Sequence, residues 1–165
     1  KGIYDYVEVC KELNKTFKNL KFLIIGDGRD LKPALEKFKS YGLENRVITT
    51  GNVVNPNWYL KASDVVMVLS KGEESFGRTV IEGFAVKSLV VVYDIENLKY
   101  LVENYKTGLV VEKDNINQVV NSLKQVLANQ DLYNSITENA YQEFLQKYTK
   151  KRVLQDFLNK LKALL

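Results

Sequence analysis

Histidine is missing from all 165 residues. That removes a His-based triad, a histidine general base and a histidine zinc site from the chemistry this chain can do by itself. The single cysteine, Cys10, can form no internal disulfide, which fits a reducing compartment. It falls on the apolar face of the first predicted helix and reads as core packing. No apolar run approaches the roughly eighteen residues of a membrane span, so the chain as given is expected neither to span a membrane nor to carry an export signal. No Lys/Arg run is interleaved with aromatics, so the electrostatic footprint of nucleic-acid binding is lacking, and no residue cluster has metal-ligand spacing. Methionine occurs only at Met67 and residue 1 is a lysine, so residues 1–165 are expected to form one domain cut from something longer.

What is present is a 45% apolar chain with a formal charge of +4 and a pI near 9.0. This is enough for one compact domain with a real core. The lysines are scattered, except for Lys147, Lys150, Lys151 and Arg152. Such a balance suits anionic substrates or a membrane surface.

Ile3, Val7, Cys10, Leu13 and Phe17 recur at helical spacing, and Lys21 to Ile25 follows as a short apolar strand. Further strands are predicted at 47–50, 64–69, 89–93 and 109–111. Helices are predicted near 31–38, 55–61, from Thr79, at 98–103, and then at 116–127, 132–148 and 151–164. Continuous apolar strands alternating with amphipathic helices argue for a Rossmann-like α/β domain with a mostly parallel sheet and a helical C-terminal tail. Ligands in such sheets bind beyond the carboxyl ends of the strands. That rule selects Gly26-Asp27-Gly28, Gly51-Asn52-Val53 and the loop after Leu69.

The last of these loops is the most informative. Gly72 to Glu82 reads GEESFGRTVIE. Glu82 is the sole charge between Val80 and Val86, and a carboxylate in that setting needs a partner with hydroxyls or positive charge. Gly77 opens a helix, so the N–H groups of Gly77, Arg78, Thr79 and Val80 are expected to be free for an anion. Glu74 lies in the loop eight residues earlier. Two carboxylates around an anion hole point to a polyhydroxylated phosphate ligand. Each residue also has a plain structural reading: Glu73 and Glu74 as a solvated loop pair, Glu82 as an ion pair with Lys61 or Arg78, and Lys71 and Arg78 either reaching phosphate or facing water.

Across nearly the whole chain these residues resemble the C-terminal, donor-binding domain of a GT-B glycosyltransferase of the family 4 type. The likeness rests on the E-x₇-E motif Glu74-Ser-Phe-Gly-Arg-Thr-Val-Ile-Glu82 after "ASDVVMVLS". Lys1-Gly2, "FLIIGDG", "TGNV" and "KTGLVVEKDN" support it, in the expected order. The resemblance implies a retaining, metal-independent sugar transferase without a cofactor, whose substrate is a nucleoside-diphosphate sugar. By this resemblance Glu74 contacts the donor sugar as the catalytic acid residue, and Glu82 binds the ribose. The backbone around Gly77, Arg78, Thr79 and Val80 binds the diphosphate, Phe76 beside it belongs to the nucleotide-sugar site, Lys1 neutralises the diphosphate, and the turns at Gly28 and Val53 lie against the base. The resemblance makes residues 1–165 the donor-binding domain of a longer two-domain chain, whose absent N-terminal domain would hold the acceptor, with the C-terminal helix packing back toward it. The implied location is the cytoplasm, with a peripheral contact of the full-length protein at the cytoplasmic face of the membrane.

Two stretches depart from the family pattern. Val86-Lys87-Ser88-Leu89 stands where a Gly-x-Pro turn is usual, and Asn97 to Tyr100 lacks the usual Gly-Gly and later Glu. Gly83 inside the short helix is expected to mark close packing on the sheet. The alternatives are an epimerase or phosphorylase on the same halves, a non-catalytic nucleotide-sugar module, and an NTPase read from G-x₄-G-R-T at Gly72 to Thr79. The last lacks the P-loop lysine, since Arg78 stands in its place.

Overall fold

The computed structural model describes residues 1–72 and 74–164; Glu73, read above as a solvated loop residue, lies outside them. Five strands form, β1 (Phe22–Ile24), β2 (Val47–Thr49), β3 (Val65–Val68), β4 (Leu89–Tyr93) and β5 (Leu109–Val111). Every pairing between them is parallel, as continuous apolar strands separated by helices predict. They fall into two sheets, β1-β2 and β3-β4-β5, rather than the one sheet expected.

The helices are α1 (Ile3–Thr16), α2 (Leu31–Ser40), α3 (Asn57–Lys61), α4 (Arg78–Ala85), α5 (Glu96–Lys99), α6 (Ile116–Leu127), α7 (Gln130–Lys147) and α8 (Lys150–Lys162). β4 has a strand on each side and is buried along its whole length. The helix α1 packs on both sheets. Val9 and Leu13 join the cluster of Leu89, Val91 and Leu109, while Val7 and Cys10 join Phe22 and Phe38. Cys10 is fully buried, and burial pushes its thiol pKa up, which makes it an inert core residue.

On the face carrying α4, Gly83 takes the role expected of it: a Cβ there would lie 2.6 Å from Val90 Cγ2. The helix α5 runs from Glu96 to Lys99, not from 98 to 103. The buried Leu98 and Val102 that drew the expectation C-terminally belong to a helix end and the turn after it. The last helix, α8, buries none of its residues and leaves Val153, Leu154, Phe157, Leu158 and Leu161 exposed along one stripe. No helix among the described residues is long and apolar enough to cross a membrane.

Candidate functional site

The carboxyl ends of both sheets open toward the start of α1. Tyr4 Oη donates to Asp30 Oδ1 beyond β1 (3.4 Å), and Gly2 packs on the carbonyl of Leu69 beyond β3. Gly2 adopts φ +76°, where an added Cβ would stand 1.9 Å from Leu69 O, so only glycine fits this approach. Lys1 is thereby held over the loop after β3. Its Nζ donates to both oxygens of Glu74, at 2.9 and 3.3 Å.

Glu74 is held on three sides. Besides Lys1, Ser70 Oγ donates to Oε2 at 2.9 Å, and Asn97 Nδ2 donates to the backbone carbonyl. The Lys1 ammonium, with help from the Ser70 hydroxyl and against partial burial, holds the carboxyl below the ordinary glutamate range. Glu74 is therefore an oriented carboxylate, able to accept hydrogen bonds from hydroxyl groups. Ser70 and Asn97 carry no sequence signal beyond their places at a strand end and a helix start.

Gly77 opens α4 at φ +76° and is buried; a Cβ there would lie 2.7 Å from Leu98 Cδ2 and 2.9 Å from Leu101 Cδ1. No side chain caps this helix. Val80 N–H already donates to Gly77 O at 2.9 Å, so it is not one of the free donors expected for an anion. The tight first turn consumes it. The N–H groups of Gly77, Arg78 and Thr79 have no acceptor among the described residues. One turn on, Glu82 meets Arg78 at 3.3 Å across the i, i+4 spacing. Lys61 takes no part. Arg78 is 83% exposed, so this pair is a weak restraint. Phe76 and Thr79 are exposed beside it.

The turns carrying Gly28 and Val53 are brought together by a bridge in which Gly26 N–H donates to Gly51 O at 3.0 Å. Gly28 N–H is turned back onto Asp27 Oδ1 at 2.7 Å. Lys71, read as reaching phosphate or facing water, instead bridges Asp5 at 2.8 Å and Asp114 at 2.7 Å. Asp5 in turn accepts from the buried Tyr93 Oη. This network lies at the ends of β3 and β4 and ties α1 to both.

No group of three or more metal-ligating side chains occurs among the described residues. A concavity of about 490 Å³ lies elsewhere, against Asp94, Lys99, Tyr100 and Val111. Neither Glu74 nor Glu82 lines that hollow.

Residues 1–143 match the family model described as glycosyl transferases group 1. Among curated proteins, the chain is 28% identical over 144 residues to an alpha-D-kanosaminyltransferase from Streptomyces kanamyceticus, covering 85% of this chain and 36% of that protein. A glycosyltransferase crystal structure from Rickettsia africae superposes with a TM-score of 0.88 at 25% identity, over 99% of this chain and 44% of that one. A Staphylococcus aureus TarM structure containing UDP superposes at 0.83 with 26% identity, over 94% of this chain and 31% of that one. The chain thus spans less than half the length of each of these three proteins. Its parallel sheets, flanking helices and helical C-terminal end are those of a GT-B glycosyltransferase domain, and the chain belongs to the group 1 glycosyl transferases.

Proposed function

We propose that this chain is the donor-binding half of a retaining glycosyltransferase. In this reading it holds a nucleoside-diphosphate sugar while a second, N-terminal half presents the acceptor. The observation that carries the reading is the Glu74 carboxylate, oriented by Lys1 and Ser70 beside the uncapped start of α4. Sugar hydroxyls donate to Glu74, and the diphosphate lies against the N–H groups of Gly77, Arg78 and Thr79. Phe76 borders it from the loop, and Glu82 accepts from the ribose hydroxyls. Lys1 neutralises the phosphate, and the bridged turns at Gly28 and Val53 flank the base.

Transfer breaks the bond between the anomeric carbon and the diphosphate oxygen, leaving the electron pair on that oxygen. The acceptor hydroxyl forms the new bond to the same carbon and passes its proton to the departing diphosphate oxygen. Negative charge therefore grows where Lys1 and the α4 dipole point. Stabilisation that strengthens as charge develops lowers the barrier more than it tightens substrate binding. Side chains and a helix start supply that stabilisation, so the reaction is proposed to need neither metal nor cofactor. UDP in the TarM structure supports a nucleoside diphosphate as the ligand class.

The acceptor half is proposed to cover the exposed apolar stripe of α8. The full-length protein is placed by this reading in the cytoplasm, with its basic balance available for the cytoplasmic face of a membrane. Calorimetry of the full-length protein without metal tests the roles. Glu82→Ala should abolish binding of the nucleoside diphosphate, whereas Glu74→Ala should spare it and weaken only the sugar conjugate. Equal losses in both variants would refute the division of labour.

A further inference from the structure

The hollow of about 490 Å³ lies at the carboxyl ends of β4 and β5, between Asp94 and Glu112, the residues that follow those strands. The buried Val102 and Val111 give it an apolar wall, and its other lining is mostly polar. A hollow of this size takes a small organic ligand.

Its polar groups are oriented by the fold. Among the described residues, β5 has a paired strand on one side only. Val111 faces that strand, since its carbonyl accepts from Asp94 N–H at 2.7 Å, so Val110 and Glu112 turn their peptide groups to the free side. There Val110 N–H donates to Asn104 Oδ1 at 3.0 Å, and Glu112 N–H donates to Gln118 Oε1 at 2.6 Å. A backbone N–H only donates, so both amide oxygens are committed to the strand and both NH₂ groups are left over. The carboxylates are engaged by halves. Glu112 Oε2 accepts from Asn115 Nδ2 at 2.9 Å, and Asp94 Oδ1 meets Lys99 Nζ at 3.5 Å, which leaves the second oxygen of each without a partner among the described residues. Tyr100, 77% exposed, adds an aromatic ring.

Each hydroxyl of a sugar donates one hydrogen bond and accepts others, so a row of hydroxyls needs donors and acceptors side by side. The apolar face of a pyranose ring packs on an aromatic side chain. Amide NH₂ groups, half-used carboxylates and an exposed tyrosine supply all three. Two carboxylates against one ammonium disfavour phosphate and other anions. We propose that the hollow between Asp94 and Glu112 is a subsite for one neutral saccharide unit, packed on Tyr100 and hydrogen-bonded by Asn104, Gln118 and the two carboxylates. The helix α5 links it to Glu74: Asn97 donates to the Glu74 carbonyl, and Lys99 and Tyr100 follow within one turn. Both belong to the stretch 97–100 that departs from the family pattern. The inference stands on the groups of the hollow and does not depend on the donor reading.

NMR of the full-length protein tests it, with glucose, galactose, mannose and N-acetylglucosamine titrated separately. At least one sugar should shift the Asn104 and Gln118 NH₂ signals along a saturable curve, while inorganic phosphate leaves them unmoved. Gln118→Glu keeps the oxygen that accepts from Glu112 N–H and removes only the NH₂ group; it and Tyr100→Ala should each weaken that sugar about tenfold. No shift with any of the four sugars, shifts that survive both substitutions undiminished, or a response to phosphate instead would each overturn the proposal. UDP, GDP and ADP added to the same protein report through the amides of residues 77–79, so failure of the donor reading is told apart from failure of this one.

Discussion

Lys1 and Glu74 are 73 residues apart in the chain, yet their charged atoms stand 2.9 Å apart. Gly2 makes that possible by lying on the Leu69 carbonyl, which sets the start of α1 directly over the loop after β3. The Lys1 side chain is 83% exposed and that of Glu74 17%, so the pair orients Glu74 far more than it stabilises the fold. The carboxyl pKa is lowered in the folded chain, so its contribution is present above the ordinary glutamate value of about 4.3 and is lost as pH falls through the folded one. Lys1→Ala should move the Glu74 titration midpoint back toward the ordinary value, as read by carbon NMR of the side-chain carboxyl. Ser70→Ala should move it less. An unmoved midpoint in Lys1→Ala would mean that the pair does not persist in solution.

Gly77→Ala should weaken both fold and ligand binding. The position combines a left-handed backbone with side-chain carbons of Leu98 and Leu101 inside 3 Å of any Cβ. Strain and overpacking of this kind cost about 1–3 kcal/mol, measurable as a lower urea midpoint. Relief of the clash would shift the first turn of α4, so affinity for a nucleoside diphosphate should fall with it. A variant of normal stability and normal affinity would show that the turn is more pliant than its contacts imply.

Elements with a clear apolar pattern were legible in the sequence: β4 and β5, which are unbroken apolar runs, and α6, with apolar residues at helical spacing, occupy the residues predicted for them. Edges were less legible, because the ends of α5 and α7 depend on local turns and caps such as Asn129, whose side chain accepts from Leu132 N–H. Glu74 and Glu82 stood out as charges in apolar or glycine-rich settings. Ser70, Asn97 and the pairing of Lys71 with Asp5 and Asp114 did not, since each joins residues from separate elements. The division into two sheets was likewise invisible, because strand pattern reports burial and not which neighbour a strand finds.

Gly83→Ala offers a test of how α4 seats on β4. In an exposed helix this change would gain about 1 kcal/mol. Here the new methyl would lie 2.6 Å from Val90 Cγ2 and 3.6 Å from Val66 Cβ, both buried residues. Overpacking should win, lowering stability by about 1–3 kcal/mol. In a Val90→Ala background the methyl has room, so the same change should cost less. Additive effects of the two substitutions in a double-mutant cycle would show that the helix is free to lift from the sheet.

The buried Tyr93 hydroxyl donates to Asp5, whose other oxygen meets Lys71. Burial, and then the hydrogen bond and charge of Asp5, push its pKa far above the ordinary tyrosine range. In the unfolded chain the phenol ionises near pH 10, so the folded chain keeps a proton that the unfolded chain gives up. Stability is therefore complete below about pH 10 and should fall above it, by about 1.4 kcal/mol per pH unit for this one proton. Tyr93→Phe removes that dependence and, at neutral pH, should cost about 1 kcal/mol for the lost hydrogen bond. Tyr6 and Tyr133 also have raised values, so a residual slope should survive in the variant. Chemical denaturation at pH 8 and pH 11 measures both effects. If the two proteins lost stability equally between those pH values, the Tyr93 hydroxyl would have to be open to water, and the tie between α1 and β4 would be looser than its geometry.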